Sequence, residues 1–155
     1  MNEKSFHMAE LVPLMQESLS AGKSVEFSPR GISMLPMIRQ GRDSVTLSPV
    51  QGKLKKFDIP LYQRDDGAFV LHRIVKVEDT YTCIGDNQFV YEPGIRQDQM
   101  IAVVTGFHRE SKYIRVDAFS YRLYSRLWHY TRGIRYFFFR VRRKLGVICR
   151  RLGIK

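Results

Sequence analysis

"RDDGAFVLHRIVKVEDTYTCIGD", residues 64–86, reads as two strand patterns bounded by turns, with no helical spacing in it. Asp66-Gly67 is a favoured two-residue hairpin turn. "AFVLHRIVKVE" has the apolar content of a strand, Glu78 to Thr80 interrupts it, and "TYTCIGD" forms the next, closed by residue types that tolerate tight or left-handed backbone. Upstream, "SVEFSP" alternates Val25 and Phe27 against polar neighbours, followed by "SVTLSPV" and "DIPLYQR". Downstream, after the separator "EPG", comes "QMIAVVTGF". Short strands at even spacing, with turn residues between them, predict a mainly β, coiled antiparallel or barrel-like domain with its core over 24–107.

Two helical segments flank that core. Met8, Leu11, Val12, Met15 and Leu19 recur at steps of three and four, so a short amphipathic helix is expected over 6–20, stopped by Ala21-Gly22. Beyond Arg115, Phe119, Leu123, Leu127, Ile134, Phe138, Val141, Leu145 and Ile148 follow the helical period with cations between them, and Gly133 and Gly146 are expected to divide the segment. The chain thus divides into a body, 1–110, and a basic, aromatic, amphipathic helical tail, 111–155.

The formal charge of +11 sits in that tail. Residues 1–110 hold 13 basic and 14 acidic side chains, whereas 111–155 hold 13 basic ones and Asp117 alone. Such asymmetry predicts a polyanionic partner, either nucleic acid or an anionic leaflet. Trp128, Phe137 and Phe138, set among Arg140, Arg142 and Arg143, favour the membrane, because "YFFF" is costly to expose in water and suits the headgroup boundary. Cys83 and Cys149 have no metal-ligand spacing and suggest neither a disulfide framework nor zinc. No apolar run of about 18 residues and no secretory signal is visible, so the expectation is peripheral attachment on the cytoplasmic face.

The chemistry candidates have ordinary readings when taken singly. In "RGISMLPMIR", residues 30–39, a serine between glycine and proline is commonly a turn residue. His72 alone is a strand histidine, as His7, His108 and His129 could be elsewhere. The order of residues is more informative: Gly31-x-Ser33-Met34-x-Pro36, then Gly41 to Asp43, then a strand bearing His72-Arg73-Ile74, then Gly85-Asp86-Asn87 and the nearby Glu92.

That order resembles the superfamily joining type I signal peptidases to LexA-like self-cleaving proteins, closest to the endoplasmic-reticulum type that uses histidine as base. The resemblance spans about Val25 to Gly106. It implies a signal-peptidase-like fold and a serine endopeptidase with no cofactor or metal, in which Ser33 is the nucleophile and His72 the general base. The family's third member is an aspartate a few residues past the Gly-Asp-Asn turn. This chain has Glu92 there, with Asp86 as competitor for the same role. It also implies an extended polypeptide substrate on strands Val25 to Ser28 and Ala68 to Val75, contacting Phe27, Leu71, Gly31, Met34, Leu35 and Pro36.

Residue chemistry fits those roles. A serine hydroxyl needs an adjacent base, and imidazole, titrating near 6.5, can serve at neutral pH without the strong desolvation a lysine requires. The Ser33 backbone N–H is a candidate oxyanion donor, and Gly31 cannot supply a side-chain hydroxyl as the second. Two other classes fit the same residues: a LexA-like regulator that cleaves itself, and a non-catalytic membrane-binding or peptide-binding module.

Overall fold

The computed structural model describes residues 8–151, with side chains over 11–143. The start of the expected first helix, His7, and the side chains of Met8, Lys144, Leu145, Ile148 and Cys149 lie outside the described residues. The architecture is mainly β, with two antiparallel sheets and three helices.

Helix α1, Met8–Ser20, buries Val12, Met15 and Leu19, the expected face, and stops at Gly22 in the left-handed region (φ 74°). The larger sheet runs β1 (Val25–Phe27), β2 (Asp43–Ser48), β8 (Met100–Arg109), β3 (Pro60–Gln63) and β4 (Phe69–Leu71). β9 (Lys112–Arg115) also pairs with β8. The smaller sheet is β5 (Arg73–Val77), β6 (Tyr81–Ile84) and β7 (Glu92–Ile95). Alternation decides the faces: in β2, Asp43, Val45 and Leu47 are buried and the residues between them half-buried.

Three local expectations need correction. "AFVLHRIVKVE" is two strands in two different sheets, broken at His72, because the chain turns a corner between the packed sheets there. The "EPG" separator is itself part of β7, paired so that Cys83 faces Glu92. The hairpin joining β3 to β4 has three loop residues, not two. Arg64 N–H reaches the Ala68 carbonyl at 2.9 Å, and Gly67 takes the left-handed position (φ 84°) of a type I turn with a bulge.

The body also extends past residue 110. β9 continues the sheet, and α2 (Phe119–Tyr130) sends Tyr121 into the main core against Phe107, ring centroids 5.8 Å apart. That core joins α1, the larger sheet and the Met34, Met37 and Ile38 side chains of the loop after β1. A second cluster, containing Leu54, Tyr62, Ile74, Tyr81, Cys83 and Ile95, lies at the other end. Helix α3, Arg132–Arg151, follows α2 through an elbow at Thr131. Among the described residues no helix is long and apolar enough to cross a membrane.

Candidate active site

The segment "SPRGISMLPMIRQGR" joins β1 to β2 as irregular turns rather than as strand or helix. Gly31 sits at φ 100°, where a side chain is strained, and its N–H donates to Oε1 of Gln40 at 2.5 Å. The loop closes on buried Asp43, whose carboxylate takes the Arg39 backbone N–H at 2.9 Å and the Arg39 guanidinium at 2.9 Å. Between these anchors Ser33 is half-buried and Met34 enters the core.

Ser33 and His72 wall one cleft of about 230 Å³, with Gly31, Met34, Gln40, Arg64 and Gln88. His72, at the corner between the sheets, is 3 % exposed. Its Nδ1 lies 3.1 Å from Oε1 of Glu92. The carboxylate stands off the line of the ring N–H, so in the free protein this contact is electrostatic rather than a straight hydrogen bond.

Glu92 is fixed from two other directions. Tyr62 Oη–H donates to Oε2 at 2.7 Å, Arg64 Nε–H donates to the same oxygen at 2.9 Å, and a second Arg64 N–H bonds Oε1. Burial pushes the Glu92 carboxyl up, but the Arg64 and Tyr62 hydrogen bonds and the His72 and Arg64 charges outweigh it and hold it below the usual carboxylate range. For His72, burial dominates and lowers the imidazole below its ordinary value, although Glu92 pulls the other way. At neutral pH the ring is therefore neutral, with the carboxylate beside Nδ1 and Nε2 left for the cleft.

Asp86 is engaged elsewhere. It is buried with Arg73, both 1 % exposed, in a bidentate pair of 2.8 and 2.6 Å. Arg73 continues to Tyr121 Oη at 3.0 Å and the Phe57 carbonyl at 3.1 Å, and despite its burial the Asp86 charge holds its pKa above normal. This pair ties β5 to the Gly-Asp-Asn turn and to α2. The turn in turn braces the serine: Asn87 donates its backbone N–H to the Ser33 carbonyl at 2.8 Å and its side-chain amide to the Ile32 carbonyl at 3.2 Å. Gly85 fits so closely that a Cβ there would stand 2.7 Å from the Ser33 carbonyl oxygen.

The expected substrate contacts separate into three groups. Gly31, Met34 and Leu71 line the cleft, whereas Leu35 and Pro36 do not. Pro36 is exposed, and its carbonyl accepts from the Arg109 guanidinium at 3.0 Å. Phe27 lines a second, apolar groove of about 570 Å³ with Leu11, Met15, Phe69 and Leu71, between β1, β4 and α1. Pro29, Arg30, Phe69 and Leu71 border both cavities.

The membrane candidates divide as well. Phe137 and Phe138 are 63 % and 65 % exposed on α3, and Arg140, Arg142 and Arg143 are exposed beside them. Trp128 turns inward, its Nε1–H donating to the Asp86 carbonyl at 2.9 Å. Sequence reasoning missed Tyr62 and Arg64, because each acts through a partner distant in sequence and carries no motif; it named Asn87 within the Gly-Asp-Asn turn but not its hold on Ile32 and Ser33. His108 and His129 stack near Tyr113 and Phe57 and take no part in the cleft. The Cys83 thiol is buried and pushed up to about 12 by that burial, so it is unsuited to nucleophilic work. Among the described residues no group of three His, Cys, Asp or Glu side chains is placed to hold a metal ion. Comparison with protein-family models, curated proteins and solved structures finds no match.

Proposed function

We propose that this chain is a serine endopeptidase of the signal-peptidase and LexA-like type, acting on an extended polypeptide at an anionic membrane surface. The observation that carries the reading is the shared cleft of Ser33 and His72, with Glu92 3.1 Å from Nδ1 and itself held by Tyr62 and Arg64.

His72 Nε2 takes the Ser33 proton as Oγ adds to the scissile carbonyl, and Glu92 stabilises the imidazolium that forms. The Ser33 backbone N–H meets the oxyanion; the Gly31 N–H is already engaged by Gln40. Collapse expels the amine with the proton from His72, leaving an acyl ester on Oγ. Water, deprotonated by the same imidazole, then releases the acid and restores Ser33. Catalytic hydrogen bonds of free enzymes are commonly long and tighten with substrate in place, as the off-line Nδ1 contact requires.

The substrate lies along the apolar groove, where β1 and β4, the two ends of the larger sheet's strand order among the described residues, each offer an edge to an added strand. The exposed aromatic and basic face of α3 supplies peripheral attachment, and the anionic cytoplasmic leaflet suits its charge. The test is peptide cleavage by the full chain, with new termini identified by sequencing. Ser33→Ala is expected to abolish cleavage and keep the thermal unfolding midpoint near that of the parent; turnover by a pure Ser33→Ala preparation ends the reading. Protease accessibility in sealed vesicles tests the cytoplasmic placement, which protection inside the outer compartment would refute.

A further inference from the structure

The elbow between α2 and α3 grips the back of the catalytic turn. Trp128 holds the Asp86 carbonyl at 2.9 Å. The Arg135 guanidinium lies 3.8 Å from the centre of the Trp128 indole and donates to the Trp128 carbonyl at 2.6 Å and to the Asp86 carbonyl at 3.4 Å. Arg132 gives one N–H to the Gly85 carbonyl at 3.4 Å. These carbonyls belong to the turn whose Asn87 holds Ile32 and Ser33. A continuous chain of contacts therefore runs from the tail to the nucleophile.

The joint is close-fitting but incompletely satisfied. Arg132 is 5 % exposed, yet among the described residues its Nε and one terminal nitrogen have no hydrogen-bond partner, nor does Arg135 Nε. Burying unpaired guanidinium N–H groups opposes docking, so the elbow is held in place by the margin of its other contacts. The opposite face of the same helices is exposed among the described residues: Phe119, Leu127, Ile134, Phe137 and Phe138 all face outward. Residues 111–155 hold 13 basic side chains against one acid, so a second copy would meet like charge, whereas an anionic bilayer is complementary to both the charge and the aromatic face.

We propose that the elbow couples membrane binding to catalysis: an anionic bilayer, by holding the outer face of α2 and α3, stabilises the docked elbow and so fixes Ser33 through Trp128, Asp86 and Asn87. This inference rests on the peptidase reading of Ser33. Trp128 is then a positioning residue, acting on the nucleophile through the turn and touching no substrate.

The experiment follows p-nitrophenolate release from a short peptidyl p-nitrophenyl ester by the full chain. In that reaction Ser33 Oγ takes the acyl group, p-nitrophenolate leaves, and water later hydrolyses the ester. Rates are measured without vesicles, with phosphatidylcholine vesicles, and with vesicles containing phosphatidylglycerol. Anionic vesicles are expected to raise kcat by roughly fivefold or more, the lower end of ordinary coupling between sites, with KM little changed. Trp128→Phe is expected to sediment with the same vesicles and lose that acceleration. A merely structural role would lower its rate equally with and without lipid. The double variant Phe137→Ser, Phe138→Ser is expected to lose binding and acceleration together and keep the vesicle-free rate.

The proposal is overturned if bound vesicles leave kcat unchanged, if Trp128→Phe keeps the full acceleration, or if a dimer formed through this face gives the same activation without lipid. Ester turnover that survives in Ser33→Ala removes the peptidase reading and this inference with it; turnover that needs Ser33 but ignores lipid removes the inference alone.

Discussion

Glu92 and Asp86 lie six positions apart in the sequence and have opposite surroundings. Glu92 accepts from Tyr62 and Arg64 and stands beside a neutral imidazole, whereas Asp86 is sealed against Arg73. Their substitutions should therefore separate. Glu92→Gln is expected to lower kcat by roughly 10²- to 10⁴-fold, as loss of the orienting acid does in other triads, with a near-normal unfolding midpoint. Asp86→Ala leaves the buried Arg73 charge alone and is expected to cost about 3–5 kcal/mol in denaturant unfolding. Equal stability losses for the two would refute the division of roles. Because His72 is shifted downward, the acid limb of kcat/KM should fall below pH ~6.5, and Glu92→Gln should move it lower still. The sign for stability follows: below pH ~6.5 the unfolded chain binds protons that folded His72 resists, and in the carboxylate range the same holds for Glu92. Thermal midpoints should thus drop as pH falls from about 6.5, with a flat profile there counting against a buried neutral His72. Ser33 and His72, read together from the order of the motif residues, do meet at one cleft. The choice between two carboxylates depended on strand register, which places Cys83 opposite Glu92 and which no local pattern encodes.

The Gly-Asp-Asn turn is a brace between two parts of the molecule. Its backbone meets Ser33 on one side and the elbow on the other, and Gly85 leaves no room between them for a methyl group. Gly85→Ala should displace the Ser33 backbone and lower kcat by about 10²-fold, the scale expected when a reacting group is misplaced by about 1 Å. Parallel thermal unfolding checks that turnover falls further than stability does. Strand β2, which alternates cleanly, was readable from its sequence pattern. The corner at His72 and strand β7 were not. A change of sheet leaves the apolar run uninterrupted, and Pro93-Gly94 carries a turn signature that pairing with β6 overrides.

At the scale of the whole molecule, charge and apolar surface are segregated to one end. The tail's periodicity predicted an amphipathic face, and the structure turns most of it outward: Phe119 is 82 % exposed, while Tyr121, two residues on and across the helix from it, enters the core. Periodicity reveals that a helix has an apolar side but not which side meets the protein, so Trp128 was assigned to lipid when it belongs to the elbow. If Arg140, Arg142 and Arg143 meet headgroups at about 1 kcal/mol each, replacing all three by Gln should weaken binding to anionic vesicles by roughly 10²-fold. Raising ionic strength from about 0.1 to 1 M, which shortens the screening length from about 10 to 3 Å, should weaken the parent in the same direction. Co-sedimentation measures both, and salt-independent binding would rule out the electrostatic component.

Trp128 is the single tryptophan of the chain, and its ring nitrogen donates to the Asp86 carbonyl in the turn that braces the Ser33 loop. Excited selectively at tryptophan, the unmodified protein thus emits from one place, beside the turn that backs the Ser33 and His72 cleft. Its colour and quenching report the hydration of the elbow, so undocking, lipid attachment and occupation of the cleft can be followed in real time in a cuvette without an introduced dye.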